Sequence, residues 1–293
     1  QNMANAILKN NLELQNKSDE YIKIKTNSNT IYAVVTMIIA FIASPMFNIN
    51  NYLPMIGCII FCLICFILSF YIIDFSNYDK VEEKQVTNKK VKTKYSKILI
   101  ILLISYGLFY PIVNSGQQNG KLFIQQELLL NFSVEITALI IGAILCVSRI
   151  VRVISNLTFN KIHNKYKEKV GVLLPILLFL SIVFMIAGSF IKSSLLLKFV
   201  IMSCGYVIIL FIRDPFKVYM QDLTLRHVKN EEQQTMLTTM ELSRKIVRTI
   251  ISLSFTIILL KEPMIIVISI LGILSIIEII ISIRLYKLNL KEK

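Results

Sequence analysis

Long apolar segments alternate with short polar connections along this chain of 293 residues. Most of the segments have the length that a helix needs to cross the hydrocarbon core of a bilayer. They lie at about residues 30–49, 52–73, 98–114, 134–154, 171–191, 195–212, 246–260 and 264–283. The pattern predicts an all-α integral membrane protein with eight transmembrane helices.

The seventh segment is shorter than the others. As a helix, 246–260 would extend only about 22 Å, which is less than a typical bilayer core requires. We therefore expect this helix to begin nearer Thr235. That start brings Glu241 onto the inner turns, where it can pair with Arg244 or Lys245. A solvated collar at the membrane surface is the plainer interpretation of these charges.

The basic residues are divided unevenly between the two sides of the membrane that these segments define. Of 32 Lys and Arg, 28 fall in the chain ends and the connections on their side, and 4 fall in the connections on the other side. Basic residues accumulate on the cytoplasmic side of membrane proteins. The distribution predicts a multi-pass cell-membrane protein with both termini in the cytoplasm.

Composition supports a membrane environment. A mean hydropathy of +0.66 with 55% hydrophobic residues leaves more apolar area than a water-facing domain can bury. The net charge of +14 is explained by attraction to the anionic inner leaflet, so no nucleic acid is expected as a partner. All five cysteines fall inside the apolar segments, which argues against an extracellular disulfide framework.

Two polar stretches organise the chain. Residues 1–29 are polar with scattered Leu and Ile, and we interpret them as a cytoplasmic connector. Residues 74–97 form the most lysine-rich stretch and contain neither Gly nor Pro. This basic loop is the best candidate for a boundary between two halves, with spans 30–73 before it and six spans in 98–293 after it.

The motifs of several enzyme classes are absent. The sequence contains no G-x-x-x-x-G-K-[ST] phosphate loop, no H-E-x-x-H zinc helix and no G-x-S-x-G elbow. Cys58, Cys62 and Cys65 share one helical face, but small residues there are more typical of close helix packing than of a metal site. We therefore expect no enzyme, no catalytic residues, no cofactor and no bound metal.

The third span becomes polar in its outer half. Tyr106, Tyr110 and Asn114 are four residues apart and project from one helical face. Pro111 and the glycines that follow are tolerated at membrane depth where neighbours or a wet cavity satisfy the freed backbone groups. The stretch is either a substrate-facing surface or an interfacial aromatic belt with an exit loop.

Several charges lie close to the spans. Arg149, Arg213 and Asp214 are candidates for a water-lined cavity, because an unpaired charge in the membrane is costly and these residues could approach each other from different helices. Arg152 and Glu278 are more simply explained by side chains that reach the inner membrane surface.

Four stretches resemble the major facilitator superfamily of secondary transporters, specifically its multidrug-efflux-like members in low-GC bacteria. Ala4–Asn10 resembles the connector after that family's fourth helix. Ala40–Pro45 resembles the small-residue and proline motif of the fifth helix. Ser148–Lys169 looks like the basic loop between the eighth and ninth helices. Arg213–Pro215, with the polar loop after it, is similar to the connection between the tenth and eleventh helices.

The resemblance implies that the chain corresponds to the C-terminal two thirds of a twelve-helix fold and lacks the first four helices, in keeping with a sequence that begins at Gln1. Residues 30–73 would be the last two helices of the N-terminal bundle, 74–97 the cytoplasmic central loop, and 98–293 a six-helix C-terminal bundle. The third, fourth, sixth and seventh spans would line a cavity, with the fifth and eighth outside it. The substrate-binding residues favoured by this mapping are Tyr106, Tyr110, Asn114, Arg149, Arg213 and Asp214.

The function implied is secondary active transport of a small molecule across the bacterial cell membrane by alternating access, with efflux as the expected direction. The third-span aromatics would enclose the substrate, Asn114 would orient it, and Arg149 with Arg213 and Asp214 would form a switchable charge pair. The lipid bilayer and the small-molecule substrate are the expected partners, and a coupling proton or ion is left open.

Two alternatives remain open at this point. The chain could be a membrane permease subunit of an ATP-driven exporter, energised by a separate nucleotide-binding chain. It could also be a truncated fragment that does not transport, because half of a facilitator cannot enclose a site.

Overall fold

A computed structural model describes residues 20–49, 52–70, 96–228 and 232–291, together with Leu8, Leu12, Gln15 and Lys17. The described residues form eight α-helices and one 3-10 turn, and each predicted span overlaps one of these helices. The helices are α1 (Tyr21–Ile49), α2 (Leu53–Ser69), α3 (Lys97–Leu129), α4 (Val134–Tyr166), α5 (Val170–Ser189), α6 (Leu195–His227), α7 (Gln233–Leu259) and α8 (Met264–Lys291). The 3-10 turn Lys167–Lys169 joins α4 to α5.

Within the described residues, four helical stretches are long and apolar enough to cross a membrane, by length and composition. They are Lys97–Leu129, Ile140–Ser189, Leu195–His227 and Met264–Lys291, and the second of them runs through α4, the 3-10 turn and α5. An all-helical protein with such segments is a membrane protein, as the apolar pattern predicts. Of the basic loop 74–97, all but Ser96 and Lys97 lies outside the described residues.

Serine residues begin three of the long helices. Ser96, Ser133 and Ser194 have extended backbones, and the hydroxyl of each accepts the backbone N–H three residues later. These contacts satisfy donors that the first turn of a helix leaves free. Each serine ends a connection between two apolar segments, so the sequence also indicates where α3, α4 and α6 start.

Helices α3 and α6 lie at the centre of the described fold. Helix α3 contacts α6, α7 and α8, and α6 contacts α3, α4 and α5. Helices α5 and α8 pack on each other, and α1 packs mainly on α4 and more lightly on α6. Helix α2 contacts α1, and its described side chains are almost all exposed. Apolar side chains exposed in this way are suited to contact with lipid.

Helices α5 and α6 approach each other closely at Gly205. A β-carbon built at this position would lie 2.5 Å from the backbone oxygen of Ser181 and 3.1 Å from the backbone nitrogen of Met185. Only a residue without a side chain fits there. Small residues at helix contacts are typical of membrane proteins, where van der Waals packing holds the helices together.

Several helices extend further than the apolar pattern indicates, among them α1, α3 and α6. Helix α1 begins at Tyr21, so the connector 1–29 is partly helical. Helix α3 continues to Leu129, so the interpretation of its polar outer half as an exit loop is wrong. Helix α6 continues past Pro215 to His227. In α3 the polar stretch is buried against neighbouring helices, with Gly116 next to the Ile209 side chain.

Candidate functional site

A polar cavity of about 370 Å³ lies between α1 and the helices α3, α4, α6 and α7. Helix α1 contributes Lys25, Ser28, Asn29 and Tyr32 to its wall. The remaining wall consists of Tyr110 of α3, Arg152 of α4, Arg213, Asp214 and Lys217 of α6, and Arg244 of α7. No residue of α5 or α8 lines it.

Arg213 crosses from α6 to α3. Its Nε donates to the Tyr110 hydroxyl at 3.3 Å, and its Nη1 donates to Oε1 of Gln117 at 2.9 Å. Both acceptors are neutral. The guanidinium is therefore held in place by hydrogen bonds, and its charge is not neutralised by either of these contacts.

Asp214 points about 100° around α6 from Arg213, because that is the angle between consecutive helical residues. Its carboxylate is buried and accepts two hydrogen bonds from Arg152 of α4, at 2.5 and 3.2 Å. The Asn156 side-chain amide donates to the same carboxylate at 3.4 Å. A two-point contact between guanidinium and carboxylate is among the strongest side-chain interactions. It joins α4 to α6 at the cavity.

Glu241 forms a second acidic centre behind the cavity wall. Its carboxylate contacts Arg244 at 2.5 Å on the same helix and Lys217 at 3.7 Å on α6. It also accepts a hydrogen bond from the Tyr106 hydroxyl at 2.9 Å. The pairing with Arg244 is the i+3 contact that the sequence indicates. Glu241 is only partly exposed, so these charges do not form a fully solvated collar.

The cavity is crowded with positive charge. The Arg244 and Arg213 guanidinium carbons lie 4.8 and 5.8 Å from the centre of the Tyr110 ring, so this ring makes cation–π contacts with both. Lys25 lies before the predicted first span. Burial, together with repulsion from Lys217, lowers the pKa of its ammonium group.

The structure brings three of the six predicted substrate-binding residues to the cavity: Tyr110, Arg213 and Asp214. Tyr106 is fully buried behind it, with its ring 5.9 Å from that of Tyr110. Asn114 is buried further along α3 and does not line the cavity. The common helical face of Tyr106 and Tyr110 is as predicted, but only Tyr110 reaches the open space.

The predicted partner of Asp214 is corrected by the structure. Arg149 is exposed and makes no ion pair within the described part of the chain, whereas Arg152 holds the carboxylate. The two arginines are three residues apart on α4, so they differ in height by about 4.5 Å. Arg152 is level with Asp214. Its guanidinium pairs with a buried carboxylate, which its sequence position did not indicate.

Glu278 also differs from the expectation that it reaches the inner membrane surface. Its carboxyl group is fully buried between α3 and α8, where Oε1 accepts hydrogen bonds from Ser105 and Ser282 at 2.5 and 3.0 Å. Its Oε2 has no hydrogen-bond partner among the described residues. Glu278 lies at the middle of α8, where packing against α3 rather than solvent surrounds it.

The residues that sequence reasoning missed carry a recognisable signal. Lys25, Ser28, Asn29 and Tyr32 follow helical spacing along one face of α1. Arg213 and Lys217 are similarly four residues apart on α6. These four positions of α1 were not identified from the sequence, because the first helix was expected to begin near residue 30, after most of them.

A larger groove of about 790 Å³ lies between α4 and α6, away from the polar cavity. Apolar side chains such as Ile144, Phe199 and Val207 line it, and lipid chains suit that surface. Within the described residues no group of three His, Cys, Asp or Glu side chains is placed to hold a metal ion. Cys58, Cys62 and Cys65 are exposed on α2 rather than at a contact between described helices.

Comparisons with known proteins give no relative for this chain: no protein-family model, no curated protein and no solved structure matches it.

Proposed function

We propose that this protein is a secondary active transporter that moves a small molecule across the cell membrane by alternating access, in the manner of the major facilitator superfamily. The observation that carries the proposal is the polar cavity within an otherwise apolar set of helices. Intramembrane charges that face an enclosed space are typical of substrate and ion pathways.

The helices around the cavity support the proposal. Four of its walls come from α3, α4, α6 and α7, the spans that the family resemblance assigns to cavity lining. Helices α5 and α8 contribute nothing and pack against each other outside it. The fifth wall is α1, which the resemblance assigns to the other bundle. A site between two bundles is what alternating access by rocking requires.

The Arg152–Asp214 pair is a suitable element for switching. It joins α4 to α6 at the edge of the cavity, in a position where a bound substrate or a change in helix arrangement could exchange its partners. Neutralising Asp214 would remove this link and leave the rest of the cavity wall in place.

The test is transport by the purified full-length protein in liposomes. Uptake of labelled inorganic phosphate, citrate and choline is followed with and without an imposed proton gradient. We expect uptake of at least one compound to depend on the protein, and Asp214→Asn to reduce it at least tenfold. Lys161→Gln, at an exposed position of α4, should transport as the unmodified protein does. Equal transport by protein and by empty liposomes for a broad set of solutes would refute the proposal.

A further inference from the structure

The wall of the polar cavity carries more positive than negative charge. Five of its side chains are cationic: Lys25, Arg152, Arg213, Lys217 and Arg244. One is acidic, Asp214. A second acid, Glu241, lies behind the wall in contact with Arg244 and Lys217. Even when both acids are counted, the basic side chains outnumber them by three.

This excess of positive charge has an electrostatic cost within the protein. Arg152 is neutralised by Asp214, and Arg244 by Glu241. Arg213 makes its two hydrogen bonds to neutral groups, Tyr110 and Gln117. Like charges held close together within a protein repel each other more strongly than they would in water. The lowered pKa of Lys25 reflects this repulsion from Lys217 and the partial loss of water.

We infer that the cavity binds a small oxyanion, a molecule carrying a phosphate or carboxylate group, and that this anion is the substrate of the transporter proposed above. The inference rests on that proposed function. A guanidinium presents a planar set of N–H donors that matches both groups. The α1 wall adds the hydroxyl of Ser28 and the amide of Asn29, which suit the neutral part of such a molecule.

The size of the cavity limits the ligand. A volume of about 370 Å³ is near the lower end of the range for small-molecule sites. A short organic acid or phosphate ester fits this space, and an extended amphipathic drug does not. A cation is disfavoured by the same excess charge that attracts an anion.

Binding in detergent tests the inference without requiring transport. The purified full chain in an uncharged detergent is equilibrated with labelled inorganic phosphate or citrate at constant ionic strength, with labelled choline as the comparison. We expect phosphate or citrate to bind and choline not to bind. Binding of neither anion would overturn the inference.

Two neighbouring substitutions on α1 give a matched comparison. Both side chains are exposed, but Ser28 lines the cavity and Asn27 does not. Ser28→Asp adds a negative charge to the cavity and should weaken anion binding at least tenfold. Asn27→Asp adds the same charge outside it and should have less than a threefold effect. Equal effects of the two changes would show general electrostatic attraction and contradict a defined site.

A substitution within the guanidinium cluster provides the second variant. Arg213→Gln should weaken anion binding at least tenfold while its helical circular dichroism spectrum stays unchanged. Lys161→Gln removes an exposed cation from α4 and should bind as the unmodified protein does. If both substitutions weaken binding equally, the overall positive charge and not the cavity is responsible, and the inference fails.

An anionic lipid headgroup offers the same chemistry as a soluble phosphate, so the experiment includes phosphatidylglycerol in mixed micelles. If this lipid displaces bound phosphate or citrate, the soluble anion is still a ligand of the cavity and the inference stands. If the lipid binds and neither soluble anion binds, the inference is overturned. The liposome assay separates the two proposals. Anion binding without transport would contradict the proposed transport function. Transport of choline without anion binding would contradict the proposed oxyanion ligand.

Discussion

At the scale of single residues, the spacing along a helix decides which charge meets which. Arg149 and Arg152 belong to the same short basic run, and their sequence surroundings are alike. Only Arg152 is level with Asp214 of α6, and only it is partly buried. Hydropathy and composition do not distinguish the two arginines, because neither shows which of them lies beside Asp214 on the neighbouring helix.

The Arg152–Asp214 pair gives a stability prediction. Arg152→Ala leaves the buried Asp214 carboxylate without its cation, which should lower the free energy of unfolding by about 3–5 kcal/mol. Arg149→Ala removes an exposed side chain with no ion pair in the described region and should change it by less than about 0.5 kcal/mol. Thermal unfolding of the purified protein in detergent, followed by circular dichroism, measures both.

The double variant is the control for this prediction. Asp214→Asn in the Arg152→Ala background removes the uncompensated charge, so part of the lost stability should return. Equal losses from Arg149→Ala and Arg152→Ala would contradict the pairing. A double variant as unstable as the sum of its single changes would contradict it as well.

At the scale of helices, the sequence predicts which segments are helical better than it predicts where each helix begins and ends. All eight helices lie where apolar segments predict them, because burial in lipid or protein gives each a long apolar run. Their ends are less well predicted. Polar residues such as Gln117 and Asn156 remain helical where another helix supplies a hydrogen-bond partner: Gln117 accepts from Arg213, and Asn156 donates to Asp214. That partner lies on another helix and leaves no mark in the local sequence.

Three of the ten residues that line the candidate site were predictable from the local sequence. Tyr110, Arg213 and Asp214 stand out as polar residues at the edges of apolar runs. The α1 wall does not, because Lys25 and Ser28 lie in a stretch that is polar throughout. Only the continuation of the helix to Tyr21 turns their spacing into a common face.

Close packing of α5 on α6 leads to the second prediction. Gly205→Ala would place a methyl group 2.5 Å from the Ser181 backbone oxygen, so the helices must separate. We expect the free energy of unfolding to fall by about 1–3 kcal/mol. Gly142 of α4 is the matched control, since a β-carbon there meets no atom within 4 Å.

Gly142→Ala should be neutral or slightly stabilising, because alanine favours a helix by up to about 1 kcal/mol over glycine. Both variants are compared by thermal unfolding in the same detergent. Unchanged stability for Gly205→Ala, or an equal loss for the two variants, would show that the α5–α6 contact is looser than the structure describes.

At the scale of the whole molecule, the basic residues predict how the chain is oriented in the membrane. With eight spans, 28 Lys and Arg would lie on one side against 4 on the other, which predicts that the first side is cytoplasmic. The same assignment places Lys25, Arg152 and Lys217 towards the cytoplasm, so the polar cavity would face that side. An anion entering from the cytoplasm would first meet this positive field, which fits the efflux direction that the family resemblance implies.

The two ends of α5 allow this orientation to be tested directly. Lys165 and Lys192 are both exposed, and they flank a 20-residue helix of about 30 Å. In a background with the five native cysteines replaced by serine, Lys192→Cys should react with a membrane-impermeant thiol reagent added to intact cells. Lys165→Cys should react only after the membrane is made permeable, because positive charge holds that end in the cytoplasm. The opposite labelling pattern would reverse the orientation and turn the cavity to the outside, and reaction of both residues in intact cells would show that α5 does not cross the membrane.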